Sequence, residues 1–398
     1  MMKIEDYFRM MVEKKASDLH LSSGTSPKLR VGGEIVDIND GVLTAENVRT
    51  LIDPILPPRN REEWNQCHDT DFAFELKEVG RFRCNVFADR NGVGGVFRLI
   101  PTKILGFKEL GLPDSIKKLC FLSKGLVLVT GPTGSGKSST LAAMVDFINE
   151  NRTDHIITIE DPIEFVHPNK KCLVNQREVH AHTESFARAL RAALREDPDI
   201  VLVGEMRDLE TVRIAIETAE TGHLVFATLH TNSAASTIDR LINQFPADEQ
   251  SQVRAGLAEG LRGVISQTLC KKKGGGRVAA LEILFGSYAV CANIREGKIV
   301  QVSMSMQTGR KDGMCFLNDS LLDLMSRGLI EPVEAYQKSI VKEELIKRMG
   351  AIPSLRSPKG LPWTEEELVK AAEGNGNGHA PVTPPPMRPP ALAGVAAR

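Results

Sequence analysis

Between about residue 115 and residue 345, short runs of β-branched and other apolar residues alternate with segments of helical periodicity. The runs are continuously apolar, which is typical of strands buried on both faces of a parallel sheet that is covered by helices. They are GLVLVT, HIITIE, DIVLVGE, HLVFATLH and RVAALEI. The pattern predicts an α/β domain on a parallel sheet, with helix-period stretches continuing toward residue 372.

The first 100 residues or so have a different pattern. An amphipathic segment comes first, followed by short alternating stretches such as LRVGGEIVDI, and together they predict a small α/β domain. In RFRCNVFADRNGVGGVFRLI, the pair Asn91-Gly92 is a strong two-residue turn signal and predicts a hairpin. On its first strand, Phe82 and Cys84 fall on one face, whereas Arg81 falls on the opposite, outward face.

These patterns divide the chain into four predicted parts. They are an N-terminal domain (1–100), an interdomain linker (101–114), a larger α/β domain with C-terminal helices (115–372) and a tail (373–398). Glycine and proline dominate the tail, GNGNGHAPVTPPPMRPPALAGVAAR, and it has no core-forming pattern. We therefore predict that the tail is disordered.

Composition narrows the class of protein. The net charge of −1 gives no global basic field toward nucleic acid or an anionic membrane. The opening MMKIEDYFRMMVEKK lacks the features of a secretory signal, and no window approaches the ~18 apolar residues of a membrane span. The seven cysteines are scattered without a C-x-x-C pair, as expected of free thiols in a reducing cytosol, and do not indicate a zinc site. These features predict a cytoplasmic protein that does not bind nucleic acid.

One loop carries a complete phosphate-binding motif. The stretch GPTGSGKS, residues 131–138, matches G-x-x-x-x-G-K-[ST] between a predicted strand and a predicted helix. Glycines let successive backbone N–H groups turn toward phosphate oxygens, and the helix N-terminus adds positive potential. In such loops Lys137 reaches the β- and γ-phosphates and the Ser138 hydroxyl ligates magnesium. The predicted ATP-binding residues are Gly131, Pro132, Thr133, Gly134, Ser135, Gly136, Lys137, Ser138 and Ser139.

Three carboxylates lie at the ends of predicted parallel strands, namely Glu160 and Glu164 in TIEDPIE and Glu205 in DIVLVGE. Ligands of open α/β sheets bind beyond the carboxyl ends of the strands. We therefore expect one carboxylate to hold the magnesium shell and another to orient or deprotonate the attacking water. The aspartate that usually binds magnesium on a Walker B strand is absent, because Gly204 stands before Glu205.

Two histidines flank the strand in TGHLVFATLH, at positions 223 and 230. A histidine beside a core strand is usually a satisfied core residue. A strand-terminal His230, with Thr228 and Thr231 beside it, is also a candidate sensor of the γ-phosphate. The spacing alone leaves both interpretations open.

In their order along the chain, these segments closely resemble the secretion ATPase superfamily and, within it, the type IV pilus retraction ATPases (PilT-like). The resemblance spans about residues 5 to 335. The matching pieces are ASDLHL (16–21), GPTGSGKSST, the aspartate box IEDPIEFVH, the Walker B region LREDPDIVLVGEMRD, the histidine box TGHLVFATLH and MQTG (306–309). The resemblance implies a RecA-like P-loop NTPase core, an N-terminal PAS-like α/β domain and a homohexameric ring.

The resemblance also assigns roles to individual residues. It places the nucleotide and magnesium on Lys137 and Ser138, makes Glu164 the catalytic base and makes Glu205 the magnesium-coordinating Walker B residue. Glu160, in the same aspartate box, is a further catalytic candidate. The residues that the resemblance places on phosphate-sensing positions, in the histidine box and the N-terminal domain, are His223, His230, Arg81 and Arg98.

The implied activity is hydrolysis of Mg-ATP to drive pilus retraction and twitching motility. The implied partners are the inner-membrane pilus platform protein and a second retraction ATPase, which would place the enzyme peripherally at the inner membrane. One segment departs from the family pattern, because the usual AIRxLIRE is AVCANIRE here, with Cys291 in place of an arginine. That segment is implicated in retraction, so the change bears on retraction rather than on ATP turnover.

Three other readings of the sequence stay open. Pilus-assembly and type II secretion ATPases share this core but carry longer N-terminal regions and a four-cysteine zinc motif, which this sequence lacks. A ring-shaped nucleic-acid translocase would need a basic channel with aromatic residues, whereas the chain has only three tyrosines and two tryptophans. An accessory protein that senses ATP is disfavoured by the intact Glu164 and Glu205 but favoured by AVCANIRE.

Overall fold

The structure is a computed structural model that describes residues 2–100, 103–358 and 360–374. Among the described residues, those up to Leu269 together with Arg277–Ser320 form one compact unit, and Cys270–Gly276 together with those from Leu321 onward form the other. Most of the predicted tail, residues 375–398, and linker residues 101–102 lie outside the described residues. Within the described part of the chain, no helix is long and apolar enough to cross a membrane.

The N-terminal part of the first unit is built on an antiparallel sheet of six strands in the order β3-β2-β1-β6-β5-β4. The strands are β1 (Ala16–Ser22), β2 (Lys28–Val31), β3 (Glu34–Asp37), β4 (Asp69–Leu76), β5 (Gly80–Asp89) and β6 (Gly92–Ile100). The helices are α1 (Ile4–Glu13), α2 (Ala45–Ile52) and α3 (Pro58–Cys67), with a 3-10 turn at Asp53–Ile55. Phe8 of α1 stacks on Phe82 of β5, with ring centroids 4.0 Å apart, in the centre of a buried cluster. These residues have the mixed helix and strand content predicted for the N-terminal part of the chain, and their separation as a domain stays a prediction.

The predicted hairpin is present, but its turn lies one residue earlier than the Asn91-Gly92 signal indicates. Asp89 pairs with Gly92, so Arg90 and Asn91 form the two-residue loop and Gly92 begins β6. The Asp89 carboxylate explains the shift, because its Oδ1 accepts hydrogen bonds from the backbone N–H of Asn91 (2.7 Å) and of Gly92 (3.1 Å). Phe82 and Cys84 are buried and Arg81 lies on the opposite face, as predicted.

A second sheet of seven strands, in the order β13-β12-β7-β11-β10-β8-β9, forms the centre of the larger domain. The strands are β7 (Gly125–Thr130), β8 (His155–Glu160), β9 (Leu173–Glu178), β10 (Ile200–Val203), β11 (Leu224–Leu229), β12 (Leu261–Lys271) and β13 (Arg277–Phe285). All neighbouring pairs from β12 to β9 are parallel. The five predicted strands are all present, and the predicted α/β class is confirmed. The strands β9 and β12 were not predicted from the sequence.

Helices cover both faces of this sheet. Residues of β7 alternate between two buried clusters, with Leu126 and Leu128 in one and Val127 and Val129 in the other. Burial on both faces accounts for the continuously apolar strands. The helices are α4 (Phe107–Leu110), α5 (Lys117–Cys120), α6 (Lys137–Asn151), α7 (Phe186–Ala193), α8 (Leu209–Glu220), α9 (Ala234–Asn243), α10 (Gln250–Gly260), α11 (Tyr288–Arg295), α12 (Ile299–Thr308) and α13 (Leu317–Ser326), with 3-10 turns at Asp114–Ile116 and Gly309–Asp312.

The second unit contains the last helices of the described chain. They are α14 (Pro332–Lys338), α15 (Lys342–Ala351) and α16 (Glu365–Gly374), with a 3-10 turn at Pro353–Leu355. Val333, Tyr336 and Leu368 form a small buried cluster. The Tyr336 hydroxyl also donates a hydrogen bond to Oε1 of Glu365 (2.8 Å), which ties α14 to α16.

Candidate active site

The phosphate-binding motif forms the loop between β7 and α6. Gly131, Gly134 and Gly136 all have positive φ, which lets the backbone turn sharply before α6 begins at Lys137. At Gly131 only glycine fits, because φ is +140° and a Cβ atom would lie 2.2 Å from the carbonyl oxygen of Gln267. The loop and the first turn of α6 therefore have the backbone geometry of a phosphate site.

Lys137 folds back over this loop. Its Nζ donates hydrogen bonds to the carbonyl oxygens of Gly131 (2.9 Å) and Pro132 (3.2 Å). Burial lowers the pKa of the Lys137 ammonium, and the negative charges of Glu205 and Glu164 act in the opposite direction. The structure thus brings the lysine and these two carboxylates into one electrostatic environment, although they come from separate segments of the chain.

Lys137, Glu164 and Glu205 lie on the same side of the sheet because the strands that precede them are parallel and end at one edge. Leu229 pairs with Thr130, and Val203 pairs with Ile159 and Ala227, so the next residues of all four strands leave from this edge. Ligands of open α/β sheets bind at such an edge.

Glu205 follows β10 and its side chain is only 14% exposed. Its carboxylate pairs with the Arg207 guanidinium (2.6 Å) and lies 3.5 Å from Nε2 of His230. His230 thus lies at the carboxyl end of β11, beside the predicted magnesium ligand, and its predicted phosphate-sensing role stays a prediction. Arg207 is a neighbour of Glu205 that the sequence analysis did not single out.

His223 lies at the other end of the same strand. Its backbone carbonyl accepts a hydrogen bond from the N–H of Gly125 (3.0 Å), the first residue of β7, and its Nδ1 lies 3.3 Å from the Thr218 carbonyl oxygen. The six residues of β11 lie between the two histidines, which places them seven residue steps, or about 23 Å at ~3.3 Å per residue, apart. Within one chain the structure therefore does not bring His223 to the phosphate loop, and its predicted phosphate-sensing role stays a prediction.

Glu160 and Glu164 are placed differently although both belong to the aspartate box. The Glu160 carboxylate accepts hydrogen bonds from Thr158 Oγ1 (2.7 Å), from Gln176 Nε2 (3.1 Å) and from the backbone N–H of Glu164. Burial raises the pKa of Glu160, and these hydrogen bonds oppose that rise. Glu164 itself is exposed. In this arrangement Glu160 holds the loop and Glu164 presents its carboxylate toward solvent on the Lys137 side.

The two predicted N-terminal arginines have acidic partners of their own. Arg98 donates from Nε to Oδ1 of the buried Asp18 (2.8 Å), and its side chain is otherwise exposed. Arg81 forms an ion pair with Glu178 at the end of β9. The predicted contact of these arginines with phosphate stays a prediction.

Several polar residues that support the site were missed by the sequence analysis. Gln267 of β12 is buried, donates to the Ser135 carbonyl oxygen (2.6 Å) and accepts from Thr140 Oγ1 (2.9 Å), so it braces the phosphate loop. Thr228 donates to the Gly204 carbonyl oxygen. No sequence motif marks these residues, because their partners are distant along the chain.

The residues present fit a nucleotide phosphate with magnesium. The Oγ atom of Ser135 is buried in the loop and has no hydrogen-bond partner among the described residues, as expected of a group that binds a phosphate oxygen. No cluster of three or more His, Cys, Asp or Glu that could hold a metal by itself occurs in the described part of the chain. Ser138 and Glu205 stay the predicted ligands of a magnesium ion that binds together with the phosphates.

Comparison with known proteins places this site in context. A family model described as "Type II/IV secretion system protein" matches residues 4–274. The "Type IV pilus retractation ATPase PilT" of Pseudomonas aeruginosa is 53% identical over 342 residues, covering 86% of this chain and 99% of that protein. The "Twitching motility protein" of Neisseria gonorrhoeae is 50% identical over 321 residues, covering 80% and 86%.

A solved structure is also similar. The "Crystal Structure of the Pilus Retraction Motor PilT and Bound ADP" superimposes with a TM-score of 0.82 at 48% sequence identity. The match covers 87% of this chain and all of that one, 100%.

Proposed function

The chain belongs to the type II/IV secretion system protein family, and we propose that within this family it is the ATPase that drives type IV pilus retraction. The observation that carries the proposal is the meeting of Lys137, Glu164 and Glu205 at one edge of the parallel sheet. This is the chemistry of a nucleotide hydrolase, in a chain similar over most of its length to a pilus retraction ATPase.

The residues divide the work of hydrolysis. Lys137 and the N–H groups of the phosphate loop bind the phosphates of ATP. Glu164 orients the attacking water and accepts its proton, for which its exposed position beside Lys137 is suited. Ser138 and Glu205 hold magnesium, which neutralises phosphate charge when it is bound with the nucleotide. Glu160 holds the loop that carries Glu164 in place. His230, at the end of β11, contacts the terminal phosphate and thereby senses whether it is present.

Hydrolysis becomes movement through the N-terminal domain. Six copies form a ring, and Arg81 and Arg98 reach phosphates as the angle between the two domains closes. The ring acts at the cytoplasmic side of the inner membrane on the pilus platform protein, and a second retraction ATPase shares the work. The movement releases pilin subunits from the pilus base into the membrane. His223 completes the set of phosphate-sensing residues only through contacts between subunits.

Deleting the gene tests this proposal directly. A retraction motor predicts hyperpiliated cells that do not twitch, and a gene carrying Lys137→Ala should not restore twitching. Bald cells would instead indicate an assembly ATPase, and cells with normal twitching would contradict the proposal.

An accessory role is the second candidate, and Cys291 favours it. This residue replaces an arginine of the retraction segment and packs half-buried against the main core through α11. An accessory ATPase predicts that deletion reduces the force or frequency of retraction without abolishing it, and that Cys291→Arg increases it. Complete loss of twitching in the deletion strain would contradict the accessory role.

A further inference from the structure

Two side chains of β9 hold the loop of residues 161–167, called the aspartate-box loop below. Oε2 of Glu178 accepts a hydrogen bond from the backbone N–H of Ile163 (3.1 Å). Gln176 makes two more, accepting from the N–H of His167 (2.7 Å) and donating to the carbonyl oxygen of Phe165 (2.8 Å). The backbone of this loop is therefore fixed by its neighbour strand.

The residue between these anchored positions is Glu164. Ile163 precedes it and is held by Glu178, Phe165 follows it and is held by Gln176, and its own N–H donates to the Glu160 carboxylate. The Glu164 side chain is exposed, so its position depends on the backbone that carries it. Misplacement of a catalytic group by about 1 Å can lower a rate by ~100-fold. Whatever moves Glu178 can therefore change catalysis without touching the substrate.

Glu178 is also where the N-terminal domain contacts this region. The Arg81 guanidinium, from β5, pairs with the same Oε2 atom that binds Ile163. The ion pair is well shielded, since the side chains are 16% and 8% exposed. A second contact lies nearby, because Arg59 of α3 donates to the carbonyl oxygen of His180 (2.5 Å), two residues beyond Glu178.

We propose that Glu178 is a positioning residue that couples the N-terminal domain to the catalytic base Glu164. The proposal rests on the proposed function, in which Glu164 is that base and Arg81 reaches a phosphate. A single carboxylate oxygen serves both the arginine and the Ile163 N–H, and a buried carboxylate that loses its cationic partner is strongly perturbed. When Arg81 leaves Glu178 for a phosphate, the anchor on Ile163 changes with it. Domain closure thereby resets the aspartate-box loop.

Graded variants of one residue separate this role from simple restraint of Arg81. Glu178→Gln removes the charge but keeps an acceptor for Ile163, and Glu178→Ala removes both. The matched control is Glu196→Gln, which breaks the 2.8 Å ion pair between Glu196 and Arg177, the residue before Glu178 on β9. Thermal unfolding identifies any variant that does not fold, and Glu178→Gln replaces Glu178→Ala in that case.

Steady-state ATP turnover and hydrogen–deuterium exchange of the full-length protein provide the test. Glu178→Ala should lower kcat by about 10- to 100-fold with little change in KM, Glu178→Gln should lower it less, and Glu196→Gln should stay near wild type. Without nucleotide, exchange in residues 161–167 should quicken in Glu178→Ala alone. For Glu178→Ala, an unchanged kcat with a lower KM would mean that Glu178 merely restrains Arg81 and does not position Glu164. An unchanged kcat together with unchanged exchange in residues 161–167 would overturn the proposal. A wild type without turnover would defeat the proposed function, while the exchange measurement would still decide this inference.

Discussion

Acidification should destabilise this protein through His167, the last residue of the aspartate box. His167 is buried, and its Nδ1 has no hydrogen-bond partner among the described residues. Burial lowers the pKa of His167 to about 4, the Asp146 carboxylate opposes the decrease, and the Lys170 ammonium adds to it. In the native state this histidine is therefore neutral at physiological pH.

The sign and size of the effect follow from linkage. The unfolded chain binds a proton on His167 below pH ~6.5, whereas the folded chain does so only below pH 4 or so. The free energy of unfolding is not reduced by His167 above pH ~6.5, where the histidine is neutral in both states. It decreases progressively as the pH falls from 6.5 toward 4, because only the unfolded chain then binds the proton. Between pH 7 and pH 5 the free energy of unfolding should decrease by about 2 kcal/mol from this group alone.

Chemical denaturation of wild type and His167→Gln at pH 7 and pH 5 measures this contribution. Glutamine does not titrate, so the variant should lose about 2 kcal/mol less than wild type over this interval. His180→Gln, at an exposed position, serves as the control. An equal acid-induced loss in wild type and His167→Gln would refute the reasoning.

Two further predictions concern the phosphate loop. Gly131→Ala places a Cβ atom 2.2 Å from the Gln267 carbonyl oxygen and should weaken binding of a fluorescent ADP analogue at least tenfold. The control is Gly111→Ala, at φ +70° with open space around it, which should lower stability by ~1 kcal/mol and leave binding intact. Equal binding of the ADP analogue by the two variants would contradict the steric explanation. Gln267→Ala removes both hydrogen bonds that brace the loop and should raise KM for ATP several-fold with a smaller change in kcat; an unaltered KM would show that the loop keeps its shape without this residue.

The sequence was informative where the signal is local. All six residues of GLVLVT are buried because β7 is covered on both faces, and five of them are apolar or glycine. The glycine-lysine motif that follows consists of consecutive residues, so it too can be recognised from the sequence alone. The strand β9 was missed because its sequence LVNQRE is polar. Gln176 and Glu178 of that strand point their hydrogen bonds at the aspartate-box loop, so their polarity serves the site and obscures the strand.

Contacts between distant segments could not be predicted in this way. Nothing near Arg81 in the sequence indicates that Glu178, 97 residues later, is its partner. Gln267 and Ser135 are 132 residues apart. His223 and His230 are close in the sequence but not in the structure, because the strand between them places them at opposite ends. Only the family resemblance groups them by function.

Turnover and binding measured together on Glu164→Gln test the central claim most directly, which is that Glu164 acts on a triphosphate held by the Lys137 loop. We predict that wild type hydrolyses ATP and that Glu164→Gln lowers kcat by ~10²–10⁴-fold while still binding ATP, whereas Lys137→Ala weakens binding itself. Hydrolysis by Glu164→Gln at the wild-type rate would contradict the account.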